Sequence, residues 1–389
     1  MTDYSDSTHR NHWIFSKEDL CRIRTENHDR IVRSIIMKQK SMPTTDTESV
    51  TSEPASKQKS AETPERPPSI SLSTTPLVTP PNIEPASGPA SAEVDVTPEE
   101  IAKYITVNEE RVLLNHFISK LFEMFPRYPH GKINYRSVQI FAASYVKRFF
   151  ITRSVLQYNP KTICAAAFLL AVKADDYTPI DADTLGGLFS EATADIIEAE
   201  QKLMYGIHYE IYIHTPYRIC RALDAALHEL SKTEAFSSVL TEACLQQIGK
   251  SVDSILTSLY QTDLDLLFDP SLLSLYVYHS ALKSVDNGEA LFAKVLEHVR
   301  AWGTESQNNS VNTTNVSEQI VRVQTEFNAY KTMMAEINLK HVNRKWKRQR
   351  EYNREVPHPR DPSAVLSQEA RESVLSSQTM QSVSSQKER

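Results

Sequence analysis

Residues 163–172 read Ile-Cys-Ala-Ala-Ala-Phe-Leu-Leu-Ala-Val, between an Asn159-Pro160 pair and Lys173. Asn followed by Pro is a strong helix start, because the Asn side chain caps the helix and Pro fits its first turn. Ten successive apolar residues make a helix that is apolar on every side, and other helices must enclose it. The stretch therefore predicts an all-α fold built around a central helix at 160–173.

Further helices are predicted on both sides of this stretch from apolar residues spaced at i, i+3 and i+4. In the first half they cover 111–125, 135–150, 181–189 and 193–206, and in the second half 216–230, 241–259, 270–283, 288–302 and 317–335. Asp269-Pro270 lies 110 residues after Asn159-Pro160, and Thr215-Pro216 opens the second half in the same way. The pattern predicts two tandem five-helix domains, at 101–212 and 213–335.

The composition of the 389 residues excludes several classes of protein. With only 8 glycines, neither GxGxxG nor GxxxxGK[ST] occurs, so the common phosphate-binding loops are absent. The 4 cysteines show no CxxC spacing, which argues against a zinc ribbon or a disulfide framework. No apolar run approaches the ~20 residues of a membrane span, and the net charge of −6 argues against an obligate nucleic-acid binder. We expect a soluble intracellular protein without a membrane or direct nucleic-acid partner.

Two segments are expected to be disordered. Residues 41–100 hold 11 of the 20 prolines and no aromatic residue, and residues 357–389 are rich in Ser and Gln, so neither can bury enough apolar surface to fold. Residues 1–40 are predicted to form an N-terminal docking helix capped by Ser16. Four Thr-Pro pairs suit a proline-directed kinase or arise from composition alone: Thr63-Pro64, Thr75-Pro76, Thr79-Pro80 and Thr97-Pro98.

Two charged residues on the predicted helices are candidate binding residues. Lys173 ends the all-apolar helix, where an ammonium group is costly to bury unless it is paired or reaches solvent. Glu200 lies on the next long helix. The pattern alone favours a plainer interpretation, with Lys173 as a favourable charge at a helix C-terminus and Glu200 as an ordinary surface charge. Substituting either residue is therefore expected to cost little stability.

No catalytic motif stands out, and we predict no catalytic residue, no metal site and no cofactor. His28-Asp29 could be the centre of a metal phosphohydrolase, but no partner residues are evident and a solvated helix face is the simpler interpretation. His208-Tyr209-Glu210 has the H-x-E of zinc deaminases without their P-C-x-x-C. The basic residues at 340–354, on a predicted helix at 336–356, are compatible with a nuclear-localisation signal, a phosphate-binding patch or a solvated face.

An ordered set of segments resembles the cyclins, over residues 12–40 and 104–340. The segments are His12-Trp13-Ile14-Phe15-Ser16, Tyr145-Val146-Lys147-Arg148-Phe149-Phe150 with Ser154-Val155, Phe168 to Asp176 with its Leu-Ala-x-Lys-x-Asp-Asp core, Glu200 in its helix, and His214-Thr215-Pro216-Tyr217-Arg218. The tandem five-helix pattern agrees with this resemblance.

The resemblance implies a regulatory subunit, not an enzyme. It implies a protein of the type that pairs with a cyclin-dependent kinase and a ring-finger assembly subunit as the CDK-activating kinase of transcription factor IIH, and therefore a nuclear protein acting in RNA polymerase II transcription and cell-cycle control. In cyclins, the Lys and Glu matching Lys173 and Glu200 bind main-chain groups of the kinase beside its helix αC. An alternative is a transcription-initiation scaffold of the IIB type, which also has two cyclin-like repeats.

Overall fold

The computed structural model of the chain describes residues 4–41, 96–124, 135–175, 180–302 and 313–352. Within these ranges the regular structure is helical and no strand occurs, which confirms the predicted fold class. The helices are α1 (Thr8–Trp13), α2 (Lys17–Ser41), α3 (Pro98–Ala102), α4 (Val107–Met124), α5 (Arg136–Thr152), α6 (Pro160–Ala174), α7 (Ala182–Phe189), α8 (Thr193–Gly206), α9 (Pro216–Ser231), α10 (Glu242–Tyr260), α11 (Pro270–Leu282), α12 (Gly288–Trp302), α13 (Thr313–Glu336) and α14 (Leu339–Tyr352). No helix in these ranges is both long and apolar enough to cross a membrane. The predictions of disorder at 42–95 and 357–389 lie outside the described residues.

Helix α6 is the centre of the first unit. The Asn159 side chain caps it by accepting a hydrogen bond from the backbone N–H of Lys161, and all residues from 163 to 172 are buried. Helices α5 and α8 pack along α6, and α4 and α7 complete its enclosure. At the end of α8, Gly206 lies so close to the ring of Phe149 that a Cβ atom would not fit. The missing side chain is what allows α8 to approach α5 there.

The second unit repeats this arrangement with α11 in the central position. Helix α11 packs against α9, α10, α12 and α13. Two of its buried hydroxyl groups are paired: Ser274 donates to the backbone oxygen of Pro270 at 2.6 Å, and Tyr278 donates to Oδ1 of Asp224 at 2.7 Å. The tandem helical architecture predicted from the sequence is confirmed.

The N-terminal segment docks on both units. Helix α2 packs against α5 and α4 of the first unit. The backbone N–H of Phe15 donates to the backbone oxygen of Leu266 at 2.8 Å, and the hydroxyl of Tyr4 donates to Oδ1 of Asp269 at 2.9 Å. The segment thus joins the first unit to the start of α11 in the second.

The short helix α3 begins inside the segment that the sequence predicts to be disordered. The Thr97 hydroxyl accepts from the backbone N–H of Glu100 at 3.4 Å, and the Glu100 carboxylate accepts from the backbone N–H of Thr97 at 3.0 Å. This reciprocal cap satisfies two otherwise unpaired donors. The Glu100 carboxylate also pairs with Lys40 at the end of α2. These contacts explain why residues 98–100 are helical instead of disordered.

Candidate functional site

The structure brings the two predicted binding residues into direct contact. Lys173 stands in the last turn of α6, and Glu200 lies on α8, which packs along α6. The Lys173 Nζ atom lies 2.7 Å from Oε1 and 2.8 Å from Oε2 of Glu200. The Lys173 side chain is 57% exposed and that of Glu200 only 8%. The Lys173 ammonium group is therefore exposed at the surface, whereas the Glu200 carboxylate is buried.

This geometry overturns one expectation from the sequence. Glu200 is not an ordinary surface charge, because it is buried and Lys173 is its counter-ion. Replacing Lys173 with an apolar residue would leave a buried carboxylate unpaired, which costs about 1–3 kcal/mol or more. Removing Glu200 leaves only a lysine that already reaches solvent, and costs less.

The pair presents a donor and an acceptor side by side. An ammonium group has three N–H donors, and the Glu200 carboxylate engages two of them at most. Each carboxylate oxygen has two lone pairs, so Glu200 can accept from a further N–H. A peptide group offers one carbonyl oxygen as an acceptor and one N–H as a donor. Adjacent peptide groups of another chain can therefore accept from Lys173 and donate to Glu200.

A cluster of buried charges lies away from the pair, and sequence analysis did not identify it. Arg24 of α2 donates two hydrogen bonds to the Asp263 carboxylate, at 2.7 and 2.9 Å, and Arg111 of α4 donates to the same group at 2.9 Å. Burial alone would raise the pKa of Asp263, but the two guanidinium groups more than offset it and hold that pKa below its usual range. Lys147 of α5 pairs with Asp265 two residues further on. The cluster joins α2, α4 and α5 to the segment that precedes α11.

The structure gives His28 a packing role. Its imidazole is buried, and Nε2 lies 2.5 Å from the backbone oxygen of Ile105, which ties α2 to the residues before α4. Its Nδ1 lies 3.3 Å from Oδ1 of Asp29. Across the described ranges there is no group of three or more His, Cys, Asp or Glu side chains that could hold a metal ion. The His28-Asp29 hypothesis of a metal phosphohydrolase has no support in this geometry.

Known proteins resemble the chain along much of its length, although no family model matches it. A probable cyclin-H of Echinococcus multilocularis is 28% identical over 234 residues, which cover 57% of this chain and 69% of that protein. Cyclin-H1-1 of Arabidopsis thaliana is 25% identical over 251 residues, covering 63% and 68%. The chain is similar to the cyclins, and to cyclin H in particular.

Solved structures share the fold of this chain. A chain of the CAK complex of Chaetomium thermophilum bound to ATP-γ-S aligns with a TM-score of 0.56 at 18% identity, over 95% of this chain and 94% of that one. A chain of the yeast TFIIK complex (Kin28/Ccl1/Tfb3) aligns with a TM-score of 0.51 at 16% identity, over 83% and 100%. Both similarities support the tandem helical architecture.

Exposed apolar side chains occur on α8, which carries Glu200, and in the connector that follows it. Ile197 lies one turn before Glu200 on α8 and is 44% exposed. After α8, the connector to the second unit exposes Tyr209, Ile211 and Tyr212. Helical periodicity could not find the connector residues, because they lie outside any helix. The alternation of large apolar residues from 207 to 213 was the available signal.

The basic stretch of the sequence forms helix α14, and one side of the helix is anchored. The Trp346 indole N–H donates to the backbone oxygen of Val155 at 2.9 Å, and Lys345 pairs with Glu109 at 2.8 Å. Val342 is buried one turn before Trp346. The helix is therefore a packed element of the fold, and only its outer side is available to a partner.

Proposed function

We propose that this chain is a cyclin that binds a cyclin-dependent kinase and activates it, as the regulatory subunit of a CDK-activating kinase module of transcription factor IIH. The relatives named cyclin-H support this assignment, and so do the CAK and TFIIK complexes that contain the similar folds. The observation that carries the proposal is the Lys173–Glu200 pair, with the neighbouring exposed Ile197, at the surface of the first unit.

The proposed mechanism needs no reaction on the cyclin itself. In a protein kinase, a glutamate of helix αC must pair with the β3 lysine to position ATP, and the placement of αC controls this pairing. A surface that binds only the inward position of αC shifts the kinase population towards the active state. A 1,000-fold shift requires about 4 kcal/mol of differential affinity.

Lys173 and Glu200 supply the polar part of that affinity. The ammonium of Lys173 donates to carbonyl oxygens of the kinase main chain, and the Glu200 carboxylate accepts from main-chain N–H groups. Hydrogen bonds to charged groups contribute about 1.5–3 kcal/mol each. Because α6 and α8 are packed against each other, the two groups are already positioned before the kinase arrives.

The further partners follow from the same module. The yeast TFIIK complex contains a third subunit beside its kinase and cyclin, which supports a ring-finger assembly subunit as a partner here. Membership of a transcription factor places the cyclin in the nucleus. Neither a membrane nor direct contact with nucleic acid is part of this proposal.

Binding measurements with paired variants test the site. Glu200→Ala is expected to weaken kinase binding by about tenfold or more, which corresponds to about 1.4 kcal/mol. Lys173→Ala is expected to do the same, with a lower unfolding temperature caused by the unpaired Glu200 carboxylate. Affinities are measured by calorimetry with the purified kinase.

The matched control lies on the same helix. Glu198 and Lys202 of α8 form an exposed ion pair at 2.7 Å, and Glu198→Ala is expected to change kinase affinity less than twofold, as exposed pairs contribute little. Equal kinase affinities of wild type and Glu200→Ala would contradict the assignment of the site. If the folded wild-type protein bound no cyclin-dependent kinase, the proposed function itself would be wrong.

A further inference from the structure

Helix α14 has a continuous basic outer face. Lys340, Arg344, Lys347 and Arg348 are exposed and lie at spacings of three, four and seven residues, on the side opposite Val342 and Trp346. We call these four residues the basic face of α14. A helix of 14 residues is about 21 Å long, so the four charges are concentrated on one short surface.

The basic face has no acidic partner in the part of the chain that the structure describes. The Nε–H groups of Arg344 and Arg348 donate to backbone oxygens of their own helix, at 3.4 Å each. Lys345, which points inward, is paired with Glu109 instead. Among the described residues, Lys345 on the inner side of α14 has an acidic partner, whereas the four residues of the basic face have none. The basic face is therefore available to bind an anion.

The chain itself contains an acidic segment of the required kind. Residues 42–95 hold eight acidic and three basic residues, a net charge of −5, whereas the whole chain carries −6. The acidic residues are Asp46, Glu48, Glu53, Glu62, Glu65, Glu84, Glu93 and Asp95. Nearly all of the net negative charge of the protein is therefore attached between α2 and α3.

The two attachment points of this segment lie close together, and the residues after the second one contact α14. At the end of α2, Lys40 pairs with Glu100 of α3, so the chain leaves and re-enters the fold at neighbouring places. Gln349 of α14 donates to the backbone oxygen of Lys103 at 2.8 Å and accepts from the backbone N–H of Ile105 at 3.0 Å. The residues that follow α3 are thus hydrogen-bonded to the last turns of α14.

The length of the segment allows contact. Glu62 is 21 residues from Ser41 along the chain, which permits a separation of up to roughly 70 Å, more than three times the length of α14. Covalent attachment gives an effective concentration on the order of millimolar. An electrostatic contact too weak to form between separate molecules can therefore be well populated in cis.

We propose that residues 42–95 bind in cis, through their acidic side chains, to the basic face of α14. The bound segment neutralises the face and competes with any external polyanion for it. Because the attraction joins exposed charges, it weakens as salt screens them.

Zero-length cross-linking of the full-length protein tests the proposal. A water-soluble carbodiimide couples a carboxylate to a lysine amine only where the two are in contact, and mass spectrometry locates the bond. We expect bonds from acidic residues of 42–95 to Lys340 and Lys347, within one copy of an isotope-labelled and unlabelled mixture. The yield is expected to fall several-fold at about 1 M salt, where the Debye length is about 3 Å.

A double variant keeps the reporting lysines and removes their neighbours. Arg344→Gln with Arg348→Gln is expected to reduce the yield several-fold, whereas Lys232→Gln with Lys250→Gln, which removes two exposed charges elsewhere, leaves it unchanged. Unchanged yield in the arginine variant, equal coupling to Lys232 and Lys250 in wild type, or bonds only between copies would each overturn the proposal.

A second measurement separates this proposal from a nucleic-acid site. A fluorescent duplex DNA oligonucleotide is titrated with the full-length protein and with a variant whose eight acidic residues in 42–95 are changed to amides. Binding that is several-fold tighter in the variant supports competition for the basic face. Equal affinities would show that the segment does not occupy it.

Discussion

At the scale of single residues, Asp263 forms buried ion pairs that connect helices distant in the sequence. Its side chain is 7% exposed and binds guanidinium groups from two different helices, Arg24 on α2 and Arg111 on α4. Removing one member of a buried ion pair costs about 3–5 kcal/mol, because the other charge stays buried without a partner.

Asp263→Asn is expected to lower the free energy of unfolding by that amount, as measured by urea denaturation. The exposed Asp19–Arg22 pair on α2 provides the control, since Asp19→Asn is expected to cost much less than Asp263→Asn. Similar costs for the two variants would contradict the role given to Asp263.

The pH dependence of this variant has a defined sign. The pKa of Asp263 is depressed in the folded state, so its contribution is complete above the unfolded value of about 3.9 and is lost as pH falls below it. Between about pH 5 and pH 3 the stability of Asp263→Asn is expected to fall less steeply than that of wild type. Parallel curves of unfolding free energy against pH for the two proteins would contradict the depressed pKa of Asp263.

His9 gives a second pH prediction, in a different range. Burial, with Arg148 and His214 nearby, lowers the pKa of His9 to about 3. Its Nδ1 accepts from the backbone N–H of His214 at 3.2 Å, which requires the neutral ring. Because the unfolded state binds a proton near pH 6.5 and the folded state does not, stability falls as pH drops from 6.5 towards 3, by up to about 1.4 kcal/mol per unit.

His9→Asn keeps an acceptor near the position of Nδ1 and removes the titration. We expect a shallower loss of unfolding free energy between pH 6.5 and pH 5 than in wild type, measured by chemical denaturation at each pH. The exposed His228 serves as control, since His228→Asn is expected to leave the slope as it is.

The sequence marked Lys173 and Glu200 as candidate binding residues but gave no sign of the buried charge cluster, and the reason is physical. The resemblance to cyclins marked Lys173 and Glu200, whereas periodicity alone favoured a plain surface charge. Lys147 and Arg148 are buried on α5, but their partners lie far along the chain. Lys147 finds Asp265, 118 residues away, and this pairing exists only in the folded protein.

At the scale of helices, the sequence predicted the long elements well. Pro at the first turn and apolar spacing marked α6, α9 and α11, and the observed starts at Pro160, Pro216 and Pro270 agree with the prediction. Helices α1 and α3 were missed, because elements of six and five residues are too short to show a period. Tertiary contacts stabilise them instead.

Helix α14 provides a prediction at this scale. Trp346→Phe keeps most of the buried ring but removes the N–H that donates to the Val155 oxygen, so the free energy of unfolding is expected to fall by about 1–3 kcal/mol. Trp346→Ala is expected to cost about 3–5 kcal/mol. Thermal unfolding measures both, and an unchanged unfolding temperature for Trp346→Ala would contradict the packing of α14.

At the scale of the whole molecule, the N-terminal segment holds the two units together. Trp13 donates to the Glu210 carboxylate at 2.5 Å in the connector between the units, and the Arg148 guanidinium stacks 4.8 Å above its ring. Asp263 and Leu266 bind the same N-terminal segment, which also packs against the first unit. The unit that carries Lys173 and Glu200 is therefore fixed relative to the second unit. Such bracing suits a protein that acts by holding another protein's helix.

We propose that this chain activates a kinase through the surface that carries Lys173 and Glu200, without a reaction of its own. The most direct test is the rate of ATP-dependent substrate phosphorylation by the purified cyclin-dependent kinase, alone and with saturating wild-type, Glu200→Ala or Glu198→Ala cyclin. We predict strong stimulation by wild type and Glu198→Ala, markedly weaker stimulation by Glu200→Ala, and no phosphorylation by the cyclin alone. Full stimulation by Glu200→Ala, or phosphorylation without the kinase, would contradict the account.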